Sequence, residues 1–555
     1  MNRIKEVIKK QGFFGIFPWL WLVFAYLWQL RFQIFYGRAI LDSDLAGEMV
    51  LANLLNKEHS IISKEWFYST ELRVFESQWF YRLGLLISPN NWHVARVIAT
   101  MLMLAIFAAL VIIAARMLGL GKWGIWAAAI LLCPCGRFWF VYSLYGTYYL
   151  IYSFFSLMTV IGIAGIVKSR KAISLKNTGF YVLGSFAGLA SGLNGIKQFI
   201  LFFAPLLIAT FVMLIVSAFE KKDRIKSEKD IITVCGKEVR IFISALVFSC
   251  FNLLGFLINS HVLKNRYSFS EFGMTTWSSE GKDRLYNLFI DYVSLFGYEK
   301  GFKVLSVKGL LSGVGLVFGF LAVAVLIYLG RRFKKLDLAE RFILLINVCT
   351  LGFCSVVFCF IELYQNYYWL YQEYYWLPLR TFAVFAILVA IRFAVKESGL
   401  QLKILPIVCA VLAAGLVTAV SKNTLLNAVE NPQVHCGYEE AADFLVENGL
   451  TKGYAMLWSS NVLRELSSGK IETWNIASPD AYVLHKWLQE KSHLDTMPEG
   501  KVFFIMSSDP YQLGEAYKDS LFIQGDNCEE VFNKDNIHIY VFDSAESFRS
   551  SGMEL

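Results

Sequence analysis

The stretch FFGIFPWLWLVFAYLWQLRFQIFYGRAILDSDLAGE, residues 13–48, contains the feature on which the fold depends. Residues 13–36 are apolar and aromatic, and they are long enough to cross a bilayer, which takes about 20 residues in a helix. Because this segment lacks a small-residue cleavage site, we expect it to be retained as a membrane anchor. The acidic residues Asp42, Asp44 and Glu48 follow it directly. This order predicts a membrane protein with carboxylates at the lipid–water boundary.

The rest of the chain has the composition of a polytopic membrane protein. Of its 555 residues, 56% are hydrophobic and only 17% are charged, and the mean hydropathy is +0.49. A soluble globular protein of this length does not reach such values. Apolar stretches predict about eleven spans. They lie near residues 13–36, 94–115, 123–141, 145–167, 178–194, 196–219, 240–260, 305–329, 342–361, 378–395 and 404–421.

Lys and Arg residues are concentrated in alternate loops, and this pattern predicts the orientation of the chain. Cytoplasmic loops retain positive charge, so the N-terminus is expected in the cytoplasm. With an odd number of spans the C-terminus then lies outside, together with the first loop, residues 37–93, and with residues 261–303. The formal net charge of +8 follows from the cytoplasmic loops. It therefore argues for this topology in the cell membrane and not for a nucleic-acid partner.

Two domains are predicted along the chain. Residues 1–421 form the transmembrane module, and residues 422–555 form a small extracytoplasmic α/β domain, with a helix over 438–447 and strands over 502–506 and 537–542. The fold class is an α-helical polytopic membrane protein with this C-terminal domain. Cys436 and Cys528 fall in the outer domain, where a disulfide and two free thiols are both open interpretations.

The outer loops differ in their periodicity. The first loop predicts two amphipathic helices, Leu45–Glu58 and Glu71–Ile87, that lie flat in the headgroup region. Residues 261–303 show no clear periodicity. A dense aromatic run over 364–376 is typical of an interfacial belt, and it could also stack on sugar rings or line an entry for an isoprenoid tail.

The acidic cluster is the candidate catalytic centre. In an extended segment Asp42 and Asp44 face the same way, so one could act as general base and the other could support it or bind a metal. The competing interpretation makes Asp44 the N-cap of a helix that starts at Leu45. Glu48, one turn further on, either flanks the same site or is a solvated surface charge.

Cationic side chains near the outer ends of spans are candidates for binding an anionic substrate. Lys197 follows the Gly-rich turn of residues 191–195 and opens a helix, which suits a phosphate, although a lysine here could also snorkel to the headgroups. Arg380 sits just inside a span, where a buried cation usually has an anionic partner. Arg73, close behind Tyr68, and Arg137 are weaker candidates for substrate binding.

Four short motifs and the layout of the chain resemble a known family. The motifs are LDSD at residues 41–44, WFYSTELR at residues 66–73, GLNGIKQ at residues 192–198 and GYAMLW at residues 453–458. Together with the acidic first loop, the many spans and the outer C-terminal domain, they resemble the GT-C superfamily of integral membrane glycosyltransferases. The layout is similar to the protein O-mannosyltransferase and aminoarabinose transferase group, and the motifs to bacterial family 39-like members.

This resemblance implies an inverting transfer of a sugar from a polyprenyl-phosphate donor, bound from the outer leaflet, to an extracytoplasmic glycan, lipid or protein acceptor. The family's base is an acidic residue of the first loop, which corresponds to Asp44 or Asp42. Where relatives often carry adjacent acids, this chain has Ser43 between them. A donor with one phosphate needs a metal less than a nucleotide-diphosphate sugar does, so the expectation is no cofactor, with a divalent metal as the alternative.

Two other function classes are compatible with many spans. A transporter or lipid flippase predicts paired repeats and charged residues at mid-membrane, whereas the ionisable residues here cluster at the outer ends of spans. The third class is a scaffold that kept the fold, lost catalysis and binds a partner through the outer domain. The enzymatic hypothesis requires that the acidic pair and the cations line one external cavity.

Overall fold

The structure is a computed structural model. It describes residues 13–69, 72–169, 175–224, 234–269, 276–277, 284–362, 373–398, 404–430, 437–477, 483–507, 528–534 and 536–551. Cys436 and most of the aromatic run over 364–376 therefore lie outside the described residues, and so do the predictions that concern them.

Most of the described chain is α-helical. In chain order the helices are α1 (Phe13–Tyr36), α2 (Ser43–Lys57), α3 (Gln78–Ile87), α4 (Trp92–Met117), α5 (Trp123–Leu132), α6 (Leu150–Lys168), α7 (Leu175–Gly192), α8 (Ala204–Glu220), α9 (Gly236–Leu257), α10 (Arg284–Ser294), α11 (Val307–Arg331), α12 (Leu338–Phe360), α13 (Leu377–Ser398), α14 (Ile404–Glu430), α15 (Tyr438–Glu447), α16 (Leu457–Leu466) and α17 (Ala545–Ser551). Short π-helical segments cover Trp139–Tyr145, Phe199–Phe203 and Ile258–Leu263.

Eight helices within the described residues are long and apolar enough to cross a membrane, so the chain is a multi-pass membrane protein. They are α4, α6, α8 with its preceding π segment, α9, α11, α12, α13 and α14. Each corresponds to one of the predicted spans. Three further predicted spans match helices that do not meet the same length and hydropathy criteria, namely those over 13–36, 123–141 and 178–194. The predicted number of eleven spans is therefore not confirmed.

The predicted span over 123–141 is interrupted by a proline. Helix α5 has ten residues and ends at Leu132, and Cys133 is extended with φ −76° and ψ 128°. Pro134 explains this break, because its ring disfavours the helical conformation in the preceding residue and removes a backbone donor. The chain resumes as the π-helical segment Trp139–Tyr145.

The contacts divide the chain into two compact units. The helical unit contains the described residues of 1–29, 103–260 and 272–425, and the mixed unit contains those of 30–102, 261–271 and 426–555. The first outer loop therefore belongs to the same unit as the C-terminal residues.

Within the helical unit, α7 packs against α6 and α9. Gly184, Gly188 and Gly192 recur at every fourth position of α7 and face α9. A Cβ added at Gly188 would collide with the carbonyl oxygen of Phe248, and one at Gly192 with that of Asn252. Small residues at this spacing let two apolar helices approach closely, which is a common way of packing helices in membranes.

Within the mixed unit, α2 is buried and does not lie on the surface as predicted. It packs between α3 and α16, and Leu45, Met49, Val50 and Leu55 are almost fully buried. The amphipathic pattern predicted the helix correctly but not its surroundings. Helix α16, which begins some 400 residues later in the chain, covers the face of α2 that was expected to meet lipid or water.

Helix α3 begins at Gln78 and not at Glu71. The carbonyl oxygens just before it accept side-chain hydrogen bonds instead of helical ones: Arg73 O from Gln78 Nε2 at 2.9 Å, and Val74 O from Trp79 Nε1 at 2.7 Å. Leu83, Leu86 and Ile87 remain exposed on α3. Its apolar face thus stays available, as expected of an interfacial helix.

Two sheets complete the mixed unit. In the first, β1 (Trp66–Tyr68) pairs in parallel with β2 (Ser268–Phe269) and in antiparallel with β7 (Gln489–Glu490). The second has the order β6-β5-β8-β10-β9. Its strands are β5 (Lys452–Met456), β6 (Glu472–Ile476), β8 (Val502–Ser507), β9 (Glu529–Lys534) and β10 (Ile537–Phe542). The predicted helix over 438–447 and the strands over 502–506 and 537–542 are confirmed.

The segment 261–303 contains more regular structure than its sequence suggests. Besides β2 it includes α10, whose Ile290 and Val293 are buried, and β3 (Thr276–Trp277), which pairs with β4 (Ile361–Glu362).

Candidate active site

The N-terminus of α2 carries the acidic pair, and Asp42 is the residue that caps it. The Asp42 side chain accepts a hydrogen bond from the backbone N–H of Leu45, with Oδ1 at 2.8 Å. The prediction that Asp44 is the N-cap of a helix starting at Leu45 is therefore wrong. The helix starts two residues earlier, at Ser43, and Asp44 lies in its first turn.

The two carboxylates have different surroundings. Asp42 is half-buried and held by backbone amides, whereas the Asp44 side chain is exposed and makes no hydrogen bond or ion pair with any residue that the structure describes. Of the two side chains, that of Asp44 is therefore the more accessible to solvent.

Both carboxylates have raised pKa values. Desolvation by the surrounding protein raises the pKa of Asp42 to about 7, and the neighbouring charge of Asp44 adds to this. Desolvation also raises the pKa of Asp44, although that side chain is exposed to solvent, and the charge of Arg73 opposes the shift. Loss of hydration disfavours the charged form of an acid, and a like charge nearby has the same effect. An acid such as Asp42, whose pKa is raised to about 7, can exchange a proton near neutral pH.

Glu48 is a member of this cluster and not a solvated surface charge. Its Oε1 lies 3.6 Å from Nη1 of Arg73, and its Oε2 accepts a hydrogen bond of 3.3 Å from the Ser77 hydroxyl. Only 12% of its side chain is exposed. Desolvation raises its pKa, and Arg73 opposes the shift. The predicted candidates Glu48 and Arg73 are thus an ion pair beside the acidic pair.

Tyr68 lies in the same part of the molecule. Its hydroxyl accepts a hydrogen bond of 3.0 Å from the backbone N–H of Ser63, and burial raises its pKa. Tyr68, Glu48 and Arg73 line one pocket between α2, β1 and α3, which we term the α2–β1 pocket. Three residues that the sequence singled out separately are therefore brought together.

Arg96 is a residue that the sequence analysis missed. Its guanidinium is almost fully buried and forms a two-pronged ion pair with Glu465 of α16, with one N–O distance of 2.6 Å. It also donates to the carbonyl oxygen of Leu45 at 2.8 Å and to the Tyr81 hydroxyl at 3.0 Å. Its charge lowers the pKa of Asp42 and so opposes the shift caused by desolvation. Arg96 therefore anchors the start of α2, and the 369 residues that separate it from Glu465 leave no local signal for the pair.

Lys197 lies where the sequence predicted it, at the start of a helix. Helix α7 ends at Gly192, Gly195 has a positive φ of 103°, and helical structure resumes at Lys197. The ammonium lies 5.5 Å from the ring centre of Tyr375. A cation at a helix start suits an anion, because the dipole and the free backbone amides add to its charge.

Arg380 has partners other than the predicted anion. It is buried, its Nη1 donates to the carbonyl oxygens of Cys135 and Leu295, and the guanidinium carbon lies 4.9 Å from the ring centre of Trp139. Within the described ranges no carboxylate pairs with it. Backbone carbonyls and an aromatic face can stabilise a cation where a second charge is missing. Arg137 is half-buried and forms no ion pair with a described residue.

Among the residues that the structure describes, no group of three His, Cys, Asp or Glu side chains could hold a metal ion.

Comparison with known proteins identifies the fold. No protein-family model matches the sequence, and no curated protein matches it significantly. The crystal structure of ArnT from Cupriavidus metallidurans bound to undecaprenyl phosphate is similar, with a TM-score of 0.52 and 12% identity over 95% of this chain and 97% of that one. This chain has the GT-C fold.

Two further crystal structures are similar at lower scores. Apo ArnT from the same organism has a TM-score of 0.49 at 12% identity, over 96% of this chain and 99% of that one. The Archaeoglobus fulgidus oligosaccharyltransferase tethered to an acceptor peptide has a TM-score of 0.48 at 11% identity, over 89% of this chain and 69% of that one. The similarity to ArnT bound to undecaprenyl phosphate covers almost the whole of this chain. It confirms the GT-C architecture that the motifs and the layout predicted.

Proposed function

We propose that this protein is an inverting membrane glycosyltransferase. It transfers a sugar from a polyprenyl-phosphate donor to an extracytoplasmic glycan, lipid or protein acceptor. Asp44 acts as the general base that takes the proton from the acceptor. The observation that carries this proposal is the pair of carboxylates with raised pKa values at the start of α2, in a chain with the fold of ArnT.

The choice of Asp44 over Asp42 rests on their hydrogen bonds. Asp42 already accepts from the backbone at the start of α2, so its lone pairs are partly used. Asp44 is exposed and has no hydrogen-bond partner among the described residues. A base with a pKa raised toward the working pH accepts a proton more readily than an ordinary carboxylate, and a positioned base contributes about 100-fold to 10,000-fold.

The other candidates are given supporting roles. Asp42 holds the first turn of α2 by accepting from the Leu45 N–H, and its own pKa is raised by desolvation and by the charge of Asp44. Glu48 and Arg73, with Tyr68, bind the group that reacts next to Asp44. Lys197 and Arg380, with Arg137 as a weaker candidate, bind the lipid phosphate and stabilise the charge that develops on it as the sugar leaves.

The polyprenyl-phosphate donor is supported by a neighbour of known structure. ArnT has been crystallised with undecaprenyl phosphate, and this chain resembles that complex over nearly its full length. A single phosphate on an isoprenoid tail requires an apolar path with one or two cations, and Lys197 at a helix start offers one of them.

The experiment that tests the proposal uses the full-length protein in lipid nanodiscs. Lipids that copurify with it are analysed by mass spectrometry, and transfer is then assayed with polyprenyl-phosphate sugars. We expect polyprenyl phosphate or its glycosylated form to copurify, and turnover with at least one donor. If only phospholipids copurify and no polyprenyl-phosphate sugar binds, the proposal is wrong and the transporter and scaffold alternatives gain support.

A further inference from the structure

Arg96 and Glu465 form an ion pair that is shielded from water. Their side chains are 2% and 4% exposed, and two guanidinium nitrogens of Arg96 donate to the two carboxylate oxygens of Glu465. Arg96 lies in α4, directly after the first outer loop, and Glu465 lies near the end of α16. Removing one partner of a buried pair leaves an uncompensated charge, so each side chain holds the other in place.

The same guanidinium contacts the first turn of α2. It donates to the carbonyl oxygen of Leu45 at 2.8 Å, and the backbone N–H of Leu45 donates to Oδ1 of Asp42 at 2.8 Å. The contacts therefore link α16 through Arg96 and Leu45 to the carboxylate of Asp42. Because Leu45 bonds to both the arginine and the acid, a displacement of the guanidinium would also disturb the N-cap.

The pair also sets the charge beside the acidic cluster. The positive charge of Arg96 lowers the pKa values of Asp42 and Glu48, and so opposes the effect of desolvation on both. Glu465 carries the charge that offsets Arg96, and it forms no second ion pair among the described residues. Buried charges are screened much less than exposed ones. The charge of Glu465 therefore limits how strongly Arg96 acts on the acids.

Other titratable side chains surround the pair and the acids. They are Arg38, Tyr81 and His93 beside the guanidinium, and Asp44 and Arg73 beside the carboxylates. Arg38 is itself paired with Glu439 and Asp443 of α15. Glu465 bonds directly to Arg96 without belonging to the acidic cluster, so its charge can be removed without changing an acid of α2.

We propose that Glu465 is a positioning residue for the acids of α2, which fixes the Asp42 carboxylate through Arg96 and sets the charge that this carboxylate senses. This inference rests on the proposed function, because the acids matter for transfer only if one of them takes the proton of the acceptor. It adds that the C-terminal segment controls the proton affinity of the acidic pair. Glu465 acts through Arg96 and is not expected to touch the substrate.

The test follows the protonation of Asp42 itself in the full-length protein in lipid nanodiscs. The carboxylic C=O stretch is titrated with pH by infrared difference spectroscopy, and the band of Asp42 is the one that Asp42→Asn removes. Glu465→Gln keeps the size of the side chain and removes its charge. A second variant combines it with Arg96→Gln, so that neither buried charge is left unpaired. Glu490→Gln is the matched control, since Glu490 pairs with Arg464, the neighbour of Glu465 on α16, instead of with Arg96.

We expect the two variants to shift the protonation of Asp42 in opposite directions. Glu465→Gln should lower the titration midpoint by about one pH unit, a tenfold change in the dissociation constant, because Arg96 then acts without its counter-charge. The combined variant should raise the midpoint above the wild-type value, because Arg96 lowers the pKa of Asp42 in the wild type. Glu490→Gln should leave it unchanged.

An ion pair that only stabilises the fold would give a different result. Both variants would then lower the temperature of thermal unfolding and leave the midpoint of Asp42 at its wild-type value. That result, or a shift in the same direction in both variants, overturns this inference. If Glu465→Gln does not fold, the combined variant decides alone, and a midpoint at or below the wild-type value overturns the inference.

The infrared titration needs neither donor nor acceptor, so its outcome is independent of the proposed function. Unchanged midpoints in a protein that transfers sugar would overturn the role of Glu465 and leave the proposed function standing. If the midpoints shift as expected but the wild type turns over no polyprenyl-phosphate sugar, the proposed function is wrong, and with it the role of Glu465 in transfer.

Discussion

At the scale of single residues, Asp44 carries the proposed chemistry. Asp44→Asn keeps the size of the side chain and removes its basicity, so we expect sugar transfer to fall by about 100-fold to 10,000-fold with the fold intact. Asp42→Asn should weaken transfer less. The measurement is the initial rate with a polyprenyl-phosphate sugar, and thermal unfolding checks the fold. Asp543→Asn, with a side chain that is 93% exposed, is the control. Full activity in both Asp44→Asn and Asp42→Asn would contradict the proposal that the general base lies in the first loop.

Asp42 makes a prediction about pH. Its pKa is raised to about 7 in the folded protein, mainly by desolvation, so the folded state binds its proton more tightly than the unfolded state does. This contribution to stability is present at pH 4 and is lost as the pH rises toward 8. Asp42→Asn keeps a good N-cap and removes the charge. It should therefore raise Tm at pH 8, by about 1 °C for each kcal/mol relieved because the entropy of unfolding grows with chain length, and change little at pH 4.

Asp42→Ala is the control for this pH experiment. It removes the charge and the cap together, and loss of a cap costs about 1 kcal/mol. We expect it to be less stable than Asp42→Asn at every pH. A wild-type protein whose stability rises from pH 4 to pH 8 relative to Asp42→Asn would contradict the raised pKa.

Lys197 provides a third prediction at this scale. If its ammonium binds the lipid phosphate and stabilises the charge that develops on it, Lys197→Ala should raise the donor KM about tenfold and should also lower kcat, because the lost interaction is present in the ground state and grows stronger in the transition state. Lys308→Ala is a matched control, since Lys308 is also a lysine near the start of a span that lies over an aromatic ring, Phe302. An unchanged donor KM in Lys197→Ala would indicate that this lysine contacts headgroups only.

At the scale of elements, the contact between α7 and α9 depends on glycine. Gly188→Ala would place a methyl group against the carbonyl oxygen of Phe248, so the helices must separate and we expect a loss of about 1–3 kcal/mol. Gly179→Ala on the same helix meets nothing within 4 Å and should stabilise α7, since alanine favours a helix by up to about 1 kcal/mol. Thermal unfolding of the two variants in detergent compares them. Equal Tm values would show that α7 and α9 are not in close contact.

At the scale of the whole molecule, the orientation in the membrane is the main open prediction. Positive charge in alternate loops places residues 331–335 in the cytoplasm and residues 437–551 outside. A cysteine at Asp543, in a background with Cys436 and Cys528 replaced by serine, should react with a membrane-impermeant maleimide in intact cells. A cysteine at Lys335 should react only after permeabilisation. The reverse pattern would place the acidic cluster's loop on the cytoplasmic side and contradict the proposed function.

How much the sequence predicted depends on the range of the interaction. Eight spans and the α15, β8 and β10 elements were predicted close to their observed positions, because hydropathy and periodicity are local properties. The N-cap of α2 was assigned to the wrong acid. Asp42, Ser43 and Asp44 are all good capping residues, so their order alone could not decide where the helix begins.

By itself the sequence determined that this is a polytopic membrane protein with carboxylates after its first span, since the bilayer requires long apolar helices whatever their neighbours. Only the tertiary structure decided what surrounds those carboxylates. It buried α2 beneath α16, paired Arg96 with Glu465 across 369 residues, and placed Trp66 and Gln78 in one pocket with Glu48 and Arg73. These contacts join segments far apart in the chain, and desolvation depends on all of them together, so no local pattern could reveal either the partners or the raised pKa values.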